Sequence, residues 1–198
     1  ENTDQFHIIT CFTYGDNNNG VSRQLKGQPR EVFSICGYKL NQMTGLSFDL
    51  PTEAEWQFAA RGGNRSKGYL YAGSDNVGDV AWYSSNSGGV THTVATKQPN
   101  ELGIYDMSGN VFEWCSDWLA PYSAEAQVDP KGPIYGEYHV YCGGGWYLGS
   151  GYCRSSHRRQ TTAGYTEAAL GFRVVLREKV EPEYVDLGLS VKWAAFNI

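Results

Sequence analysis

The chain has 198 residues, a formal net charge of −5 at pH 7 and 41% hydrophobic residues. This length is sufficient for one sizeable domain with a hydrophobic core, and the apolar content excludes wholesale disorder. The basic residues form no long run, which argues against a nucleic-acid-binding module. No stretch of 18 apolar residues is present, so we expect no membrane span. The 24 glycines, 14 tyrosines and 6 tryptophans favour a loop-rich fold over a helical bundle.

The N-terminal part of the chain gives a helix signal only after a weakly patterned segment. Residues 1–29 predict no defined element. Apolar residues then recur at steps of three and four from Phe33 to Met43, which predicts one apolar face of a helix. Gly45 is expected to end this helix, because glycine commonly adopts the left-handed conformation there.

A second helix is predicted within residues 50–63, and both of its ends are marked. Thr52 is placed to cap the N-terminus, and Glu55 three residues later completes a capping box. Gly62 is expected to end the helix. The buried stripe should consist of Trp56, Ala59 and Ala60.

After residue 63 helical periodicity disappears, and short aromatic runs alternate with glycine and asparagine. Residues 170–178 show little alternation, which predicts a strand that is buried on both faces at its centre. Two helices followed by loop-rich β-structure predict an α+β fold with short antiparallel strands. The composition shifts again near the C-terminus, where residues 179–183 are expected to form a linker.

Four phrases, in the order in which they occur, resemble the formylglycine-generating enzyme family, also called the sulfatase-modifying factor family. They are residues 50–63, 100–118, 143–159 and 170–175. The resemblance implies the C-type-lectin-like variant that is the formylglycine-generating enzyme fold, with few regular elements and long loops. We therefore expect a poorly matched segment over 1–29, a family domain over 30–178, and over 179–198 a linker with the start of a truncated further module.

The resemblance raises the question of whether Cys153 is catalytic. Family members that generate formylglycine have two cysteines, five residues apart, which bind copper(I), and dioxygen then oxidises a substrate cysteine. Here Leu148 occupies the first position and cannot ligate a metal. Copper(I) favours soft sulfur ligands, so we expect no copper and favour a domain without this activity. Two alternatives stay open: Cys142 supplies the second thiol, or Arg154 and His157 activate Cys153 as a lone nucleophile.

The same resemblance implies one calcium site in the phrase YDMSGNVFEW. Its ligands would be the carboxylates of Asp106 and Glu113 and the backbone carbonyls of Gly109 and Val111. Calcium binds six to eight oxygens and accepts mixtures of carboxylates and carbonyls. The alternative is that Asp106 caps a turn and Glu113 pairs with an arginine.

A ligand-binding surface is predicted on the loops that follow residue 143. Tyrosine, serine, glycine and arginine are typical of adaptable binding sites that loops present on a rigid frame. The ligand is expected to be a protein or a carbohydrate and not a nucleic acid. The candidate contact residues are Trp146, Tyr147, Tyr152, Arg154, His157 and Arg159.

Three functions are compatible with these features. The favoured one is a non-catalytic, calcium-stabilised binding or structural module of a bacterial surface protein. One alternative is a copper-dependent oxidase that converts a substrate cysteine to formylglycine during sulfatase maturation. Another is a ligand-binding variable protein with the lectin-type fold, which has a similar glycine-rich frame. Residues 184–198 resemble the start of a module that recurs in surface proteins of gut-type bacteria, so we expect a secreted or surface-attached multidomain parent, although no signal peptide is visible.

Overall fold

The computed structural model describes residues 8–11, 29–165, 167–177, 184–185 and 193–194, and side chains between residues 37 and 177 apart from 166. The helices are α1 (Pro29–Thr44), α2 (Glu53–Ala60) and α3 (Val77–Val80), with 3₁₀ turns at Gly63–Arg65 and Ser150–Cys153. The strands are β1 (Ile8–Cys11), β2 (Ser47–Asp49), β3 (Ala81–Trp82), β4 (Ser108–Gly109), β5 (Phe112–Trp118), β6 (His139–Cys142), β7 (Arg158–Thr161), β8 (Leu170–Arg177), β9 (Tyr184–Val185) and β10 (Trp193–Ala194). This is the predicted α+β class.

The main sheet has the strand order β1-β8-β5-β6-β7, and β2 pairs with the C-terminal end of β8. The pairing of β5 with β8 is parallel, whereas β1, β2, β6 and β7 each make antiparallel pairs. Two further ladders, β3 with β4 and β9 with β10, lie outside this sheet. The predicted strand over residues 170–178 is therefore confirmed as β8, which pairs with three other strands of the sheet.

The local chemistry predicted for α2 is confirmed in detail. The Thr52 side chain accepts a hydrogen bond from the Glu55 amide at 3.1 Å, and the Glu55 carboxylate accepts one from the Thr52 amide at 2.8 Å. Gly62 follows the helix with φ +89°, and its amide donates to the Ala59 carbonyl. Trp56, Ala59 and Ala60 are buried in one core cluster. These short-range interactions fix both ends of the helix.

Helix α1 forms as predicted, but its apolar pattern does not end in a buried face. Met43, the last residue of this pattern, is 86% exposed. The helix ends at Gly45, which has φ +68° and donates its amide to the Asn41 carbonyl. The Asn41 side chain in turn bonds both backbone groups of Phe48 and so joins α1 to β2.

The N-terminal segment contributes a strand that its sequence did not predict. Residues Ile8–Cys11 pair with Phe172–Val175 of β8 along the edge of the sheet. A segment of four residues, Ile8–Cys11, is too short to give a periodic signal, so only the long-range pairing defines this strand. The rest of 1–28, most of 178–198 and the expected module there lie outside the described residues.

The two faces of the sheet have different partners. Trp114, Tyr141 and Arg159 are register neighbours across β5, β6 and β7. Glu113, Cys142 and Arg158 form the adjacent row, and because successive residues of a strand point to opposite faces, the two rows lie on opposite sides. The second row faces α2, since Cys142 packs in a cluster with Trp56. The first row lies on the face covered by Leu148.

A buried ion pair joins β8, β5 and α2 on the helix-facing side. The Arg173 guanidinium donates to both carboxylate oxygens of Glu113, at 2.6 Å from Nη2 to Oε1 and through Nε to Oε2. The Trp56 indole donates to Oε2 at 2.7 Å. Arg173 also donates to the carbonyls of Tyr105 and Asp106. Both charged side chains are almost fully buried, so each depends on the other for compensation.

Within the described residues, no helix has both the length and the apolar character that crossing a bilayer requires.

We predict that removing either partner of this pair destabilises the domain severely. Arg173→Met and Glu113→Gln should each lower the free energy of unfolding by about 3–5 kcal/mol, because an uncompensated group stays buried. Urea unfolding would measure the change. Arg177→Met is the matched control on the same strand, since the Arg177–Glu55 pair is partly exposed and should be worth about 1 kcal/mol or less. Equal costs for Arg173→Met and Arg177→Met would contradict this account. The double variant Arg173→Met/Glu113→Gln should cost less than the two single changes added together.

Candidate functional site

The loops of the predicted binding surface are attached to a rigid frame by Asn110. Its amide donates to the Trp82 carbonyl at 2.7 Å, and its carbonyl accepts from the Trp146 amide at 2.9 Å. Its side chain bonds both backbone groups of His92. Asn110 is buried with φ +62°, a conformation that asparagine tolerates better than most residues. One residue therefore holds three loops in register, including the start of the binding surface.

Cys153 is a packing residue within a closed cluster. Its side chain is 0% exposed and packs with Tyr71, Val80 and Ala81. Burial raises the pKa of the Cys153 thiol from an ordinary value of 9.0 to about 12. A group with a raised pKa stays protonated below that value, so the neutral thiol dominates at pH 7. The glycine-rich turn also closes over the sulfur, since a Cβ added at Gly144 would lie 2.9 Å from Sγ.

Leu148 and Cys153, the positions of the family's cysteine pair, pack in different clusters. Leu148 contacts the buried apolar cluster that contains Phe112 and Tyr141 on the face of the sheet opposite α2. Cys142 lies beside Cys115 in the cluster that contains Trp56 of α2. Burial raises the pKa of Cys115 above its ordinary value, and the neighbouring Cys142 adds to this. Cys142 is therefore not in the cluster of Cys153. In the described part of the chain, no three His, Cys, Asp or Glu residues group as a metal cluster.

The phrase proposed to bind calcium forms a tight loop with unusual backbone angles. Asp106, Gly109 and Asn110 have φ values of 58°, 75° and 62°. A Cβ at Gly109 would lie 2.4 Å from the Trp82 carbonyl oxygen, so only glycine fits there. The Asp106 carboxylate accepts a hydrogen bond from the Ala95 amide at 2.7 Å. Backbone conformations of this kind cost energy and often accompany function.

The charges in this loop are compensated only in part. Glu113 shares Arg173, as the alternative interpretation of the sequence anticipated. Burial raises the pKa of Asp106, the hydrogen bond from Ala95 opposes this, and the negative charge of Glu113 raises it again. Arg173 forms its ion pair with Glu113, and the Asp106 carboxylate has no ion pair among the described residues, so a cation bound there would balance its charge. The residues fit calcium through Asp106, whereas Glu113 is already engaged.

The predicted ligand-binding residues form two groups of ring contacts. Tyr152 packs edge-on to His157 with ring centroids 5.0 Å apart, and the Arg159 guanidinium lies 5.5 Å from the Tyr152 ring. Trp146 and Tyr147 form a second edge-on pair at 5.3 Å. Tyr147 and Tyr152 are exposed, and Trp146, His157 and Arg159 are half-buried, so all five side chains are at least partly accessible to solvent.

The charge of this surface comes from its arginines. Burial lowers the pKa of His157, and the positive charges of Arg159 and Arg154 lower it further. The imidazole is therefore neutral at pH 7. Arg154 is exposed and Arg159 is half-buried, so the two guanidinium groups carry the positive charge at different depths.

Three further residues near this surface are not among the predicted contact residues. Glu167 accepts hydrogen bonds from the hydroxyls of Tyr147 and Tyr165, and burial raises the pKa of its carboxyl group. Tyr141 is the register partner of Arg159, and that guanidinium lowers the Tyr141 pKa while burial raises it. Glu167 and Tyr165 lie in a predicted loop, but no local signal in the sequence connects Tyr141 to Arg159.

Comparisons with known proteins place this geometry in a family context. The sequence model described as "Sulfatase-modifying factor enzyme 1-like domain" matches residues 16–178. The chain is 37% identical over 128 residues to the serine/threonine-protein kinase pkn1 of Chlamydia pneumoniae, covering 63% of this chain and 20% of the kinase. It is 36% identical over 143 residues to the formylglycine-generating enzyme of Streptomyces coelicolor, covering 63% of this chain and 45% of the enzyme.

A solved structure extends the comparison. Treponema denticola variable protein 1 is 40% identical and superposes with a TM-score of 0.62, covering 67% of this chain and 49% of that chain. The chain thus spans less than half of the length of each of these three relatives.

We predict that the Cys153 thiol is inert in the folded protein. Iodoacetamide at pH 8 should leave Cys153 unlabelled in the native state, because the thiol is buried and its pKa is raised to about 12. Peptide mapping by mass spectrometry would follow each cysteine separately. The same reaction in urea is the control and should label Cys153 completely. Native labelling at the rate seen in urea would show that the thiol is accessible and would reopen the nucleophile interpretation.

Proposed function

The chain belongs to the sulfatase-modifying factor enzyme 1-like family, and we propose that it serves as a non-catalytic binding or structural module within that family. One observation carries the proposal: Cys153 is fully buried, and the first position of the family's cysteine pair holds Leu148, which packs in a different cluster. Copper(I) chemistry of the family type needs a pair of thiolates. The residues present do not fit that metal.

The comparisons support a module more than a complete enzyme. The matching region makes up 20% of a protein kinase and 45% of a formylglycine-generating enzyme. In the kinase the matching region is a small part of a longer chain, which is expected of a module whose frame is reused. We propose that the parent of this chain is also multidomain and is secreted or attached to a bacterial surface.

A second candidate function is ligand binding by a variable protein. The similarity to Treponema denticola variable protein 1, at 40% identity, favours it. The surface around Tyr152 and Arg159 supports the same idea, because exposed tyrosines and a half-buried arginine are typical contact residues of loop-based binding sites. Both candidates place the ligand on the same loops and require no chemistry from Cys153.

We predict that copper(I) binding is independent of Cys153. Titration against a competing copper(I) chelator should give the same affinity for the reduced wild-type protein and for Cys153→Ala, because a single buried thiol makes no adequate site. The formylglycine-generating enzyme of Streptomyces coelicolor serves as the positive control. Tight binding of one copper(I) that Cys153→Ala abolishes would overturn the proposal and restore the oxidase alternative.

Calcium is the second part of the proposal. We propose that Asp106 supplies the main charged ligand, with carbonyl oxygens of Gly109 and Val111 and a contribution from Glu113 that stays shared with Arg173. The support is the uncompensated charge and the left-handed backbone of this loop. When bound, calcium would supply charge neutralisation and would fix the loop, and it would take part in no reaction.

We predict that calcium raises the melting temperature and that Asp106→Asn removes the effect. At about 100 times Kd the stabilisation should be about 2.7 kcal/mol, measured by calorimetry against a chelator control. Protons compete with calcium for Asp106, whose pKa is raised by burial. As the pH is lowered, calcium affinity should therefore begin to fall at a higher pH than it would for an ordinary aspartate. Asp129→Asn is a matched control at an exposed aspartate. No shift with calcium in the wild-type protein would rule out the site.

A further inference from the structure

We propose that the ligand of the loop surface is an acidic sugar, whose carboxylate is received by Arg159 and whose ring lies against the neighbouring tyrosines. This inference rests on the proposed binding function and adds the chemical class of the ligand. Three observations support it: Arg159 has no ion pair among the described residues, polar groups in the same region lack partners, and the large side chains exposed there are tyrosines.

Arg159 differs from the buried arginines of the sheet because its charge is uncompensated. Arg158, Arg173 and Arg177 each form an ion pair with a glutamate. Arg159 forms none with the described residues. Its guanidinium instead lies 5.8 Å from the ring of Phe112 and 5.5 Å from the ring of Tyr152. Rings hold a guanidinium in place but do not neutralise it, so a half-buried charge is left to receive an anion.

Polar groups without partners lie in the same cross-strand row as Arg159 and in the loop that joins β6 to β7. The Trp114 indole N–H is buried in a side chain that is only 5% exposed, and it has no acceptor. Trp114 belongs to the same cross-strand row as Tyr141 and Arg159. The Trp146 indole N–H and His157 Nε2 are also buried and unpaired. Buried polar groups are normally satisfied, so unpaired N–H donors around an unpaired cation indicate a missing acceptor.

The geometry of the donor favours a carboxylate. A planar guanidinium matches the two oxygens of a carboxylate or phosphate in a bidentate pair. Arg159 is the one half-buried guanidinium without an ion pair among the described residues. The charges of Arg159 and Glu167 both act on the pKa of Tyr141, so the two groups lie in the same region. A singly charged group therefore fits better than a phosphate dianion, which Glu167 would repel.

The surrounding side chains favour a sugar over a peptide with apolar anchors. The large hydrophobic side chains exposed between residues 143 and 167 are all tyrosines, namely Tyr147, Tyr152 and Tyr165. Their rings offer flat faces for the C–H face of a sugar ring, and their hydroxyls and the Glu167 carboxylate can bond sugar hydroxyls. No exposed aliphatic residue of this loop region provides a pocket for an apolar peptide anchor.

The test uses the full chain and oligosaccharides that contain glucuronate, galacturonate or sialate, each compared with its methyl ester. Isothermal titration would measure affinity. For at least one of these sugars, the protein should bind the free acid about tenfold more tightly than the methyl ester. Esterification removes the charge and leaves the sugar ring. Arg159→Gln should lose about tenfold, and Arg159→Lys, which keeps a charge without the planar fork, should lose less. Arg65→Gln removes an exposed arginine elsewhere and should change nothing.

Each contrary result identifies what has failed. Equal binding of acid and ester, unchanged binding in Arg159→Gln with normal thermal unfolding, or no binding of any probe would overturn the acidic-sugar assignment. Binding of polyglutamate without any of the sugars would overturn it in favour of an acidic peptide, and the proposed binding function would stand. Oxidation of a cysteine peptide by the chain would overturn the proposed function itself.

Discussion

The buried pair between Arg173 and Glu113 holds the parts of this domain together. It connects β8 to β5, receives the indole of Trp56 from α2, and reaches the carbonyls of Tyr105 and Asp106 in the loop before β4. A domain with short strands and long loops has few continuous ladders, so one ion pair that joins four segments supplies order that regular structure does not. Burial raises the pKa of Asp106, and the positive charge of Arg173 opposes this shift.

The two faces of the sheet separate packing from recognition. The row of Glu113, Cys142 and Arg158 faces α2 and is consumed by ion pairs and apolar contacts. The row of Trp114, Tyr141 and Arg159 lies on the opposite face, where an indole N–H and a guanidinium lack partners. Cys153 belongs to neither row and is enclosed in its own cluster. Glycine is needed at position 144 for a steric reason, because a side chain there would collide with the Cys153 sulfur, which fills the space.

Local signals predicted the parts that depend on neighbours in the sequence. The capping box of Thr52 and Glu55 and the left-handed turns at Gly45 and Gly62 act over four residues or fewer, and they were correct. The fold class followed from four phrases that resemble one family, which the comparisons confirm. Long-range features could not be predicted: β1 is defined by its pairing with β8, and Glu113 and Arg173 are 60 residues apart. Register between β6 and β7 places Tyr141 beside Arg159, and no periodicity in either segment encodes it.

The most direct test of the central claim, that the domain keeps the family fold without its redox chemistry, is the conversion of cysteine in a sulfatase-type peptide. The reduced chain would be supplied with copper(I) and dioxygen, and the peptide would be followed by mass spectrometry beside the Streptomyces coelicolor enzyme. The account predicts unchanged peptide with this chain and formylglycine with the enzyme, since the only thiol at a family position is buried and protonated. Formylglycine produced by this chain, and lost in Cys153→Ala, would contradict it.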